Sequence, residues 1–194
     1  VKDLVAQQEK LHPYNGVGCF NDMDMLIVGM HGKGNVGLAG CNDVQYQTHY
    51  ALWAFLGSPL MIGCDIRRMT SATKEILTNK DVIAINQDIE CRINQDPLCR
   101  QPYKVKNHAW NDNVLIYVKA LANGDLAIGM FNLSDEKSRA AMNLDEIGLP
   151  FSTGRTLELT EVWTGENLCA NNASLVTELE PFASKVYRAK VVKL

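Results

Sequence analysis

The pattern of apolar residues changes near residue 100, and this change restricts the folds open to the chain. Before it, short apolar runs alternate with stretches of helical periodicity, which predicts strands followed by helices and hence a parallel sheet. After it, short segments typical of strands are separated by turns containing glycine or proline. We expect these strands at residues 114–121, 126–133, 139–144, 156–163, 174–179 and 185–192. The sequence thus predicts an α/β part with a linker at residues 1–100 and an antiparallel β-sandwich at residues 101–194.

The first part contains two predicted units of strand and helix. Its strands are expected at residues 20–29 and 59–67, and its helices at residues 1–10, 44–56 and 71–85. Asn42 and Asp43 precede the middle helix. Short polar side chains accept hydrogen bonds from the free N–H groups that begin a helix, so these two residues are its candidate N-caps.

Two acidic residues interrupt the first predicted strand. Asp22 and Asp24 are two positions apart, so alternation along a strand would place both on one face. Burying a carboxylate without a partner costs about 2–7 kcal/mol or more, which favours a functional site. One capping and one ion-paired Asp would satisfy the same spacing. Asp65 ends the second predicted strand, and in (β/α) barrels the carboxyl ends of the strands carry the chemistry.

A glycine motif at residues 32–37 indicates a different class of protein. It reads Gly-Lys-Gly-Asn-Val-Gly and is followed by a helix, a strand and Asp65, the order found in dinucleotide-binding units. In such units the helix begins within the glycines, whereas five residues intervene here. The acid also comes late, roughly thirty residues past the glycines instead of about twenty. A dinucleotide-binding domain therefore remains a remote alternative.

Charge and hydropathy exclude two classes of partner. The 194 residues are 46% hydrophobic with a formal net charge of -3, which is typical of soluble globular proteins and provides no basic surface for nucleic acid. No apolar run approaches the ~20 residues of a membrane-spanning helix, and no signal peptide is visible. Together with the spacing of the cysteines, described next, this favours a cytoplasmic protein, with secretion as the alternative. The chain does not begin with Met and starts within a helical pattern, so we expect a piece of a longer protein.

The cysteines and histidines predict no metal site, and no cofactor is expected. Zinc needs clustered ligands, and the four histidines are scattered along the chain. Cys91 and Cys99 flank a short irregular loop and form the likeliest bridge if one exists. Cys64 lies within an apolar run, where free thiols commonly pack, and this favours a reduced protein.

Five segments carry a resemblance to a known family. Residues 20–26 read Phe-Asn-Asp-Met-Asp-Met-Leu, and residues 47–54, 58–67, 79–88 and 161–165 follow in order. They resemble the melibiase family (glycoside hydrolase family 27), the retaining enzymes that include α-galactosidase and α-N-acetylgalactosaminidase. The first segment resembles that family's Trp-Asn-Asp-Pro-Asp-Met-Leu, with Phe20 in place of Trp and Met23 in place of Pro.

The resemblance implies the last two strands and helices of a (β/α)8 TIM barrel, followed by an antiparallel β-sandwich. It also implies that the intact protein hydrolyses terminal α-linked galactose with retention of configuration. In this family the nucleophilic and the acid/base aspartates come from earlier strands, so no residue of this chain is expected to be catalytic. The expected partners are a galactoside and the preceding part of the barrel, with a homo-oligomer as a further option.

The resemblance also assigns the site residues. The positions that match Asp24 and Met25 line the sugar pocket of the family, so we expect both to contact the substrate. Asp22, Asp65 and Arg67 are expected near the site as structural support, with Asp65 ion-paired at the barrel rim. His49 is expected to be a half-buried helix residue whose hydrogen bonds are satisfied.

Three other functions remain open. The residues that read the second position of the sugar lie upstream in this family, so α-N-acetylgalactosaminidase and β-L-arabinopyranosidase activities are alternatives. The third is a non-catalytic carbohydrate-binding module, in which Trp110 and Trp163 would stack on sugars. Single aromatic residues in β-domains usually belong to the core, and we expect both tryptophans there.

Overall fold

The computed structural model describes residues 1–11, 14–15, 19–33, 40–89, 103–171 and 173–194. The helices are α1 (Lys2–Leu11), α2 (Asp43–Phe55), α3 (Ser71–Leu77) and α4 (Lys80–Gln87). The strands are β1 (Tyr103–Val105), β2 (Val114–Ala120), β3 (Leu126–Asn132), β4 (Ser138–Asn143), β5 (Arg155–Glu161), β6 (Asn167–Cys169), β7 (Ser174–Leu179) and β8 (Ser184–Lys193). The pair Cys91 and Cys99 and most of the glycine motif lie outside the described residues.

The second half forms the predicted antiparallel sandwich. Its larger sheet has the order β1-β2-β3-β8-β5-β6, and β4 pairs with β7 in a second sheet. Between the sheets lies a core of buried apolar side chains, among them Ile116 of β2, Met142 of β4 and Leu175 of β7. A turn at Asn123 and Gly124 joins β2 to β3. Gly124 has φ +84°, a conformation that glycine adopts without steric cost.

Helix α2 covers the outer face of the larger sheet. Alternation along β2 directs Ile116 into the sandwich and Tyr117 toward the helices, so each face of this sheet has its own core. The Phe55 ring of α2 meets the Phe131 ring of β3 edge to face, with centroids 5.6 Å apart. A Cβ atom at Gly129 would lie 2.5 Å from the Phe131 ring and 2.9 Å from the Phe55 ring. Glycine is therefore required for this close approach.

Helix α1 is attached to the sandwich through Glu9. Its carboxylate accepts a short hydrogen bond from the Tyr117 hydroxyl and forms a salt bridge of 2.7 Å with the Lys104 ammonium. Burial, reinforced by this carboxylate, raises the pKa of Tyr117. None of the helices in the described part of the chain combines the length and the apolar character needed to cross a membrane.

The N-cap predicted for α2 is confirmed. The Asn42 carbonyl oxygen Oδ1 accepts a hydrogen bond of 2.9 Å from the Gln45 backbone N–H, and Gln45 Oε1 accepts one of 3.0 Å from the Asn42 N–H. This reciprocal capping box fixes where α2 begins.

The single helix predicted for residues 71–85 is wrong, because two short helices occupy this region. Thr70 caps α3, which ends at Leu77, and α4 begins after Asn79. Asn79 Oδ1 accepts hydrogen bonds from the N–H groups of Asp81 and Val82 at 3.1 and 3.0 Å. A short polar side chain can thus start a new helix by replacing backbone partners.

The two strands predicted in the first half are reduced to one parallel bridge, between Leu26 and Ile62. The Leu26 N–H donates to the Met61 carbonyl at 2.8 Å, and the Gly63 N–H donates to the Leu26 carbonyl at 3.1 Å. The parallel direction is as expected, but Asp24 has φ +76° and leaves the extended conformation. The inference that Asp22 and Asp24 share one face of a strand is therefore wrong.

Lys119 places a buried cation between the sheet and two helix ends. Lys119 is 1% exposed, and its ammonium donates to the carbonyls of Ala54 and Ile85 at 3.2 and 3.3 Å. These carbonyls lie in the last turns of α2 and α4, where free carbonyl groups carry partial negative charge. The contact joins both helices to β2.

We predict that Lys119→Met lowers the free energy of unfolding by about 1.5–3 kcal/mol, the size of a hydrogen bond to a charged group, because the two helix carbonyls lose the hydrogen bonds from the ammonium. Urea denaturation measures this change. Lys190→Met is the control, since Lys190 is exposed on the same sheet. Equal stability of the two variants would contradict the prediction.

Candidate functional site

The chain turns at Asp24, where the left-handed backbone is held by local hydrogen bonds. Asp22 Oδ1 accepts a hydrogen bond from the Asp24 N–H at 2.9 Å, and Asp24 Oδ1 accepts one from the Met25 N–H at 2.7 Å. A residue with a side chain in this conformation costs on the order of 1–3 kcal/mol, and Asp tolerates it best when its carboxylate bonds locally. The Asp22 carboxylate is thus hydrogen-bonded to the backbone of Asp24.

Two rings of α2 hold the segment that follows. The Trp53 indole N–H donates to the Asp24 carbonyl at 2.8 Å, and His49 Nε2 accepts the Ile27 N–H at 3.2 Å. His49 and Trp53 are four residues apart and so lie on one face of the helix. Their ring centroids are 3.9 Å apart, which restricts the movement of either ring.

His49 is neutral in this environment. It is 4% exposed, and burial lowers its pKa to about 3. Because Nε2 accepts the Ile27 N–H, the ring proton belongs on Nδ1, which has no hydrogen-bond partner among the described residues. The expectation of a half-buried, satisfied His49 is wrong on both points.

Met25 lies beside Asp24 and covers Gly63. A Cβ atom at Gly63 would be 2.7 Å from both the Leu26 carbonyl oxygen and the Met25 sulfur. The backbone contact with Leu26 therefore requires glycine here. Asp22, Asp24 and Met25 are all exposed in this chain. The surface therefore presents a carboxylate, which accepts hydrogen bonds from hydroxyl groups, next to an adaptable apolar thioether.

Asp65 and Arg67 form the expected ion pair at the end of the bridged segment. Arg67 Nε donates to Asp65 Oδ1 at 2.9 Å, and Arg67 Nη2 donates to Oδ2 at 3.0 Å. These hydrogen bonds lower the pKa of Asp65. Both side chains are exposed, Asp65 by 41% and Arg67 by 84%, so solvent screens the pair. Its role as structural support remains a prediction.

Two cavities bordered by described residues lie away from this surface. One of about 730 Å³ lies between α4, the β2–β3 turn and strands β5, β6 and β8. Another of about 450 Å³ is bordered by Ile27, Cys41 and His49. Asp22, Asp24 and Met25 line neither cavity, because few elements of this chain surround them. Among the described residues, no group of three or more His, Cys, Asp or Glu side chains is arranged to hold a metal ion.

The two tryptophans of the sandwich do not form a flat exposed pair. Trp110 is 84% exposed, so its prediction as a core residue is wrong, and the Lys106 ammonium lies 5.1 Å from its ring centroid. Trp163 is partly buried against the core that the helices share with the sheet. One face for sugar stacking would need both rings on the surface.

Sequence reasoning missed the residues that hold Asp24 in place. The spacing of His49 and Trp53 gives a signal, because two rings four positions apart mark one helix face. Their target was not readable, since both rings contact backbone atoms of residues 24 and 27. Backbone atoms carry no residue identity from which a partner could be inferred.

The family is established by two sequence models that match the two halves of the chain. The model described as alpha galactosidase A matches residues 1–88. The model of the alpha galactosidase C-terminal beta sandwich domain matches residues 111–189. The chain belongs to the melibiase family. The end of a barrel followed by a β-sandwich, as expected from the sequence, is confirmed.

Individual relatives agree with this family. α-Galactosidase 3 of Arabidopsis thaliana is 31% identical over 160 residues, which are 82% of this chain and 32% of that protein. An α-galactosidase/melibiase structure from Bacteroides fragilis has a TM-score of 0.78 at 32% identity and covers 97% of this chain and 38% of its own. The melibiase chain thus spans about a third of the length of the relatives that it matches.

A second solved structure shows the fold alone. The β-L-arabinopyranosidase of Geobacillus stearothermophilus, a member of glycoside hydrolase family 27, has a TM-score of 0.78 at 23% identity. It covers 97% of this chain and 41% of its own. The same architecture therefore occurs in a family member named for another sugar.

We predict that His49 makes the free energy of unfolding depend on pH. Its pKa is about 3 in the folded chain and roughly 6.5 in the unfolded chain, so between these values the unfolded state binds the extra proton. The free energy of unfolding should fall as pH decreases through this window, by up to ~1.36 kcal/mol per pH unit. Denaturation of wild type and His49→Gln at a series of pH values isolates this term from the carboxylates. Identical pH profiles would contradict it.

Proposed function

We propose that this chain supplies part of the sugar-binding barrel and the β-sandwich of an α-galactosidase that acts on terminal α-linked galactose. The observation that carries the proposal is the match of both halves to α-galactosidase sequence models. The relative from Arabidopsis, which is named an α-galactosidase, supports it at 31% identity. The exposed carboxylate and thioether of Asp24 and Met25 provide the surface for the sugar.

Asp24 acts as a binding group in this proposal. An ionised carboxylate accepts hydrogen bonds from the hydroxyl groups that define galactose. The Asp24 backbone is fixed by its neighbours, so its side chain can meet the sugar with little loss of conformational entropy on binding. Met25 contributes an apolar surface for the C–H groups of the sugar ring.

The covalent chemistry belongs to other residues. Retaining hydrolysis needs two carboxyl groups about 5–5.5 Å apart on either side of the glycosidic bond, one as nucleophile and one as acid and then base. Asp22 and Asp24 do not fit these roles, because Asp22 Oδ1 accepts the backbone N–H of Asp24 within a single turn. We assign the pair to the two thirds of the relatives' length that this chain does not span.

The identity of the sugar rests on the names of the relatives. No residue of this chain is assigned to the second position of the sugar, where galactose, N-acetylgalactosamine and arabinopyranose differ or are extended. α-N-Acetylgalactosaminidase and β-L-arabinopyranosidase activities are therefore the competing outcomes of the assay below. A carbohydrate-binding module without catalysis is disfavoured, since Trp110 and Trp163 do not form one stacking surface.

The prediction is that Asp24→Asn slows hydrolysis of an aryl α-galactoside by roughly 10–1000-fold, the scale of a lost charge-assisted contact plus misplacement of the sugar. Turnover by the full-length gene product measures this change, with Asp65→Asn as the control. The control should retain turnover because Asp65 pairs with Arg67 at an exposed position.

Three results would oppose the proposal. Unchanged turnover and galactose affinity in Asp24→Asn would remove Asp24 from the sugar site. Preference for an aryl α-N-acetylgalactosaminide or β-L-arabinopyranoside would replace the substrate. Micromolar binding of NAD in calorimetry, without glycosidase activity, would favour the dinucleotide alternative.

A further inference from the structure

We infer that Trp53 and Asp22 are positioning residues that fix the Asp24 backbone in its left-handed conformation before a sugar binds. The inference rests on the proposed function only in that the ligand of Asp24 is a sugar. Neither residue needs to touch this ligand. Trp53 is 1% exposed, and the Asp22 carboxylate is directed at the Asp24 N–H.

The Trp53 contact selects one orientation of the Asp24 carbonyl. Rotating Asp24 into the extended region would move its carbonyl away from the indole N–H, 2.8 Å away in the structure. That N–H would then be buried without an acceptor, which costs about as much as the left-handed strain itself. The indole cannot follow the carbonyl, because it packs against the His49 ring with the two ring centroids 3.9 Å apart.

Asp22 acts on the other side of the same residue. Its Oδ1 accepts the Asp24 N–H at 2.9 Å, so the N–H and the carbonyl of Asp24 are both held from outside the residue. Holding the Asp24 N–H requires an acceptor oxygen at position 22 and not a negative charge. Asparagine, which has the same oxygen, should therefore perform it, whereas alanine should not.

The consequence for binding follows from populations. If only a fraction of the molecules has Asp24 in the binding conformation, the apparent Kd rises by the inverse of that fraction. A loss of the Trp53 contact that leaves one molecule in ten correctly arranged would weaken galactose binding about tenfold. Loss of the Trp53 contact would therefore raise KM more than it lowers kcat.

The first experiment compares Trp53→Phe with Tyr50→Phe in this chain. Tyr50 lies one turn earlier on α2, is 1% exposed, and donates its hydroxyl to the Leu77 carbonyl at 3.1 Å. Each substitution removes one buried donor and keeps an aromatic ring. Because Trp53→Phe also removes buried volume, the free energy of unfolding of both variants is measured beside the exchange rates and any global difference is subtracted. We expect amide exchange of Asp24 and Met25, measured by NMR, to be at least about tenfold faster in Trp53→Phe than in Tyr50→Phe. Equal exchange would overturn the inference.

The second experiment measures galactose affinity and the separation of KM from kcat in the full-length gene product. Trp53→Phe should raise Kd and KM about tenfold relative to Tyr50→Phe. Asp22→Asn should recover most of the affinity that Asp22→Ala loses. Equal losses in both Asp22 variants would overturn the role of Asp22, since they would indicate a need for its charge. If wild type binds no galactose while the exchange difference is found, the proposed function fails and the positioning role holds.

Discussion

Helix α2 is buried on several sides at once, and the arrangement around Asp24 depends on this burial. From Tyr46 to Phe55, every residue except Gln47 is buried. A helix that is apolar around its circumference has no stable position at a surface. It must lie between other elements, and here these are the larger sheet, α3 and α4, and the bridged segment of the first half.

Because α2 is buried against it, the β-sandwich supports the residues around Asp24. Phe131 of the sheet fixes Phe55 of α2, and two residues earlier on the same helix Trp53 holds the Asp24 carbonyl. The Lys119 ammonium of β2 connects the ends of α2 and α4 to the sheet. The melibiase sandwich thus lies far from Asp24 in sequence but only one helix away in space.

The sequence predicted what depends on periodicity and local capping. The strands of the sandwich and the capping box of Asn42 follow from patterns of residue type. The left-handed Asp24 was not predictable, because Met23 and Asp24 sit in an apolar context that favours a strand and the contacts that hold Asp24 come from residues 22 and 53. Strands β1 and β6 are three residues long, too short for alternation to be visible. The burial of Lys119 contradicts its residue type and appears only when two helix ends meet above it.

The close fit at Gly129 has a consequence for how sandwiches of this kind can be exchanged between enzymes. There is no room for a Cβ atom at Gly129 beside the rings of Phe55 and Phe131. The surface of the helix and the surface of the sheet are therefore complementary in shape. A sandwich transplanted from a distant relative would bring a different surface to α2 and shift the helix that carries Trp53. Recombination within the family should therefore preserve α2 and the strands beneath it as one inherited unit, with the crossover point placed elsewhere in the chain.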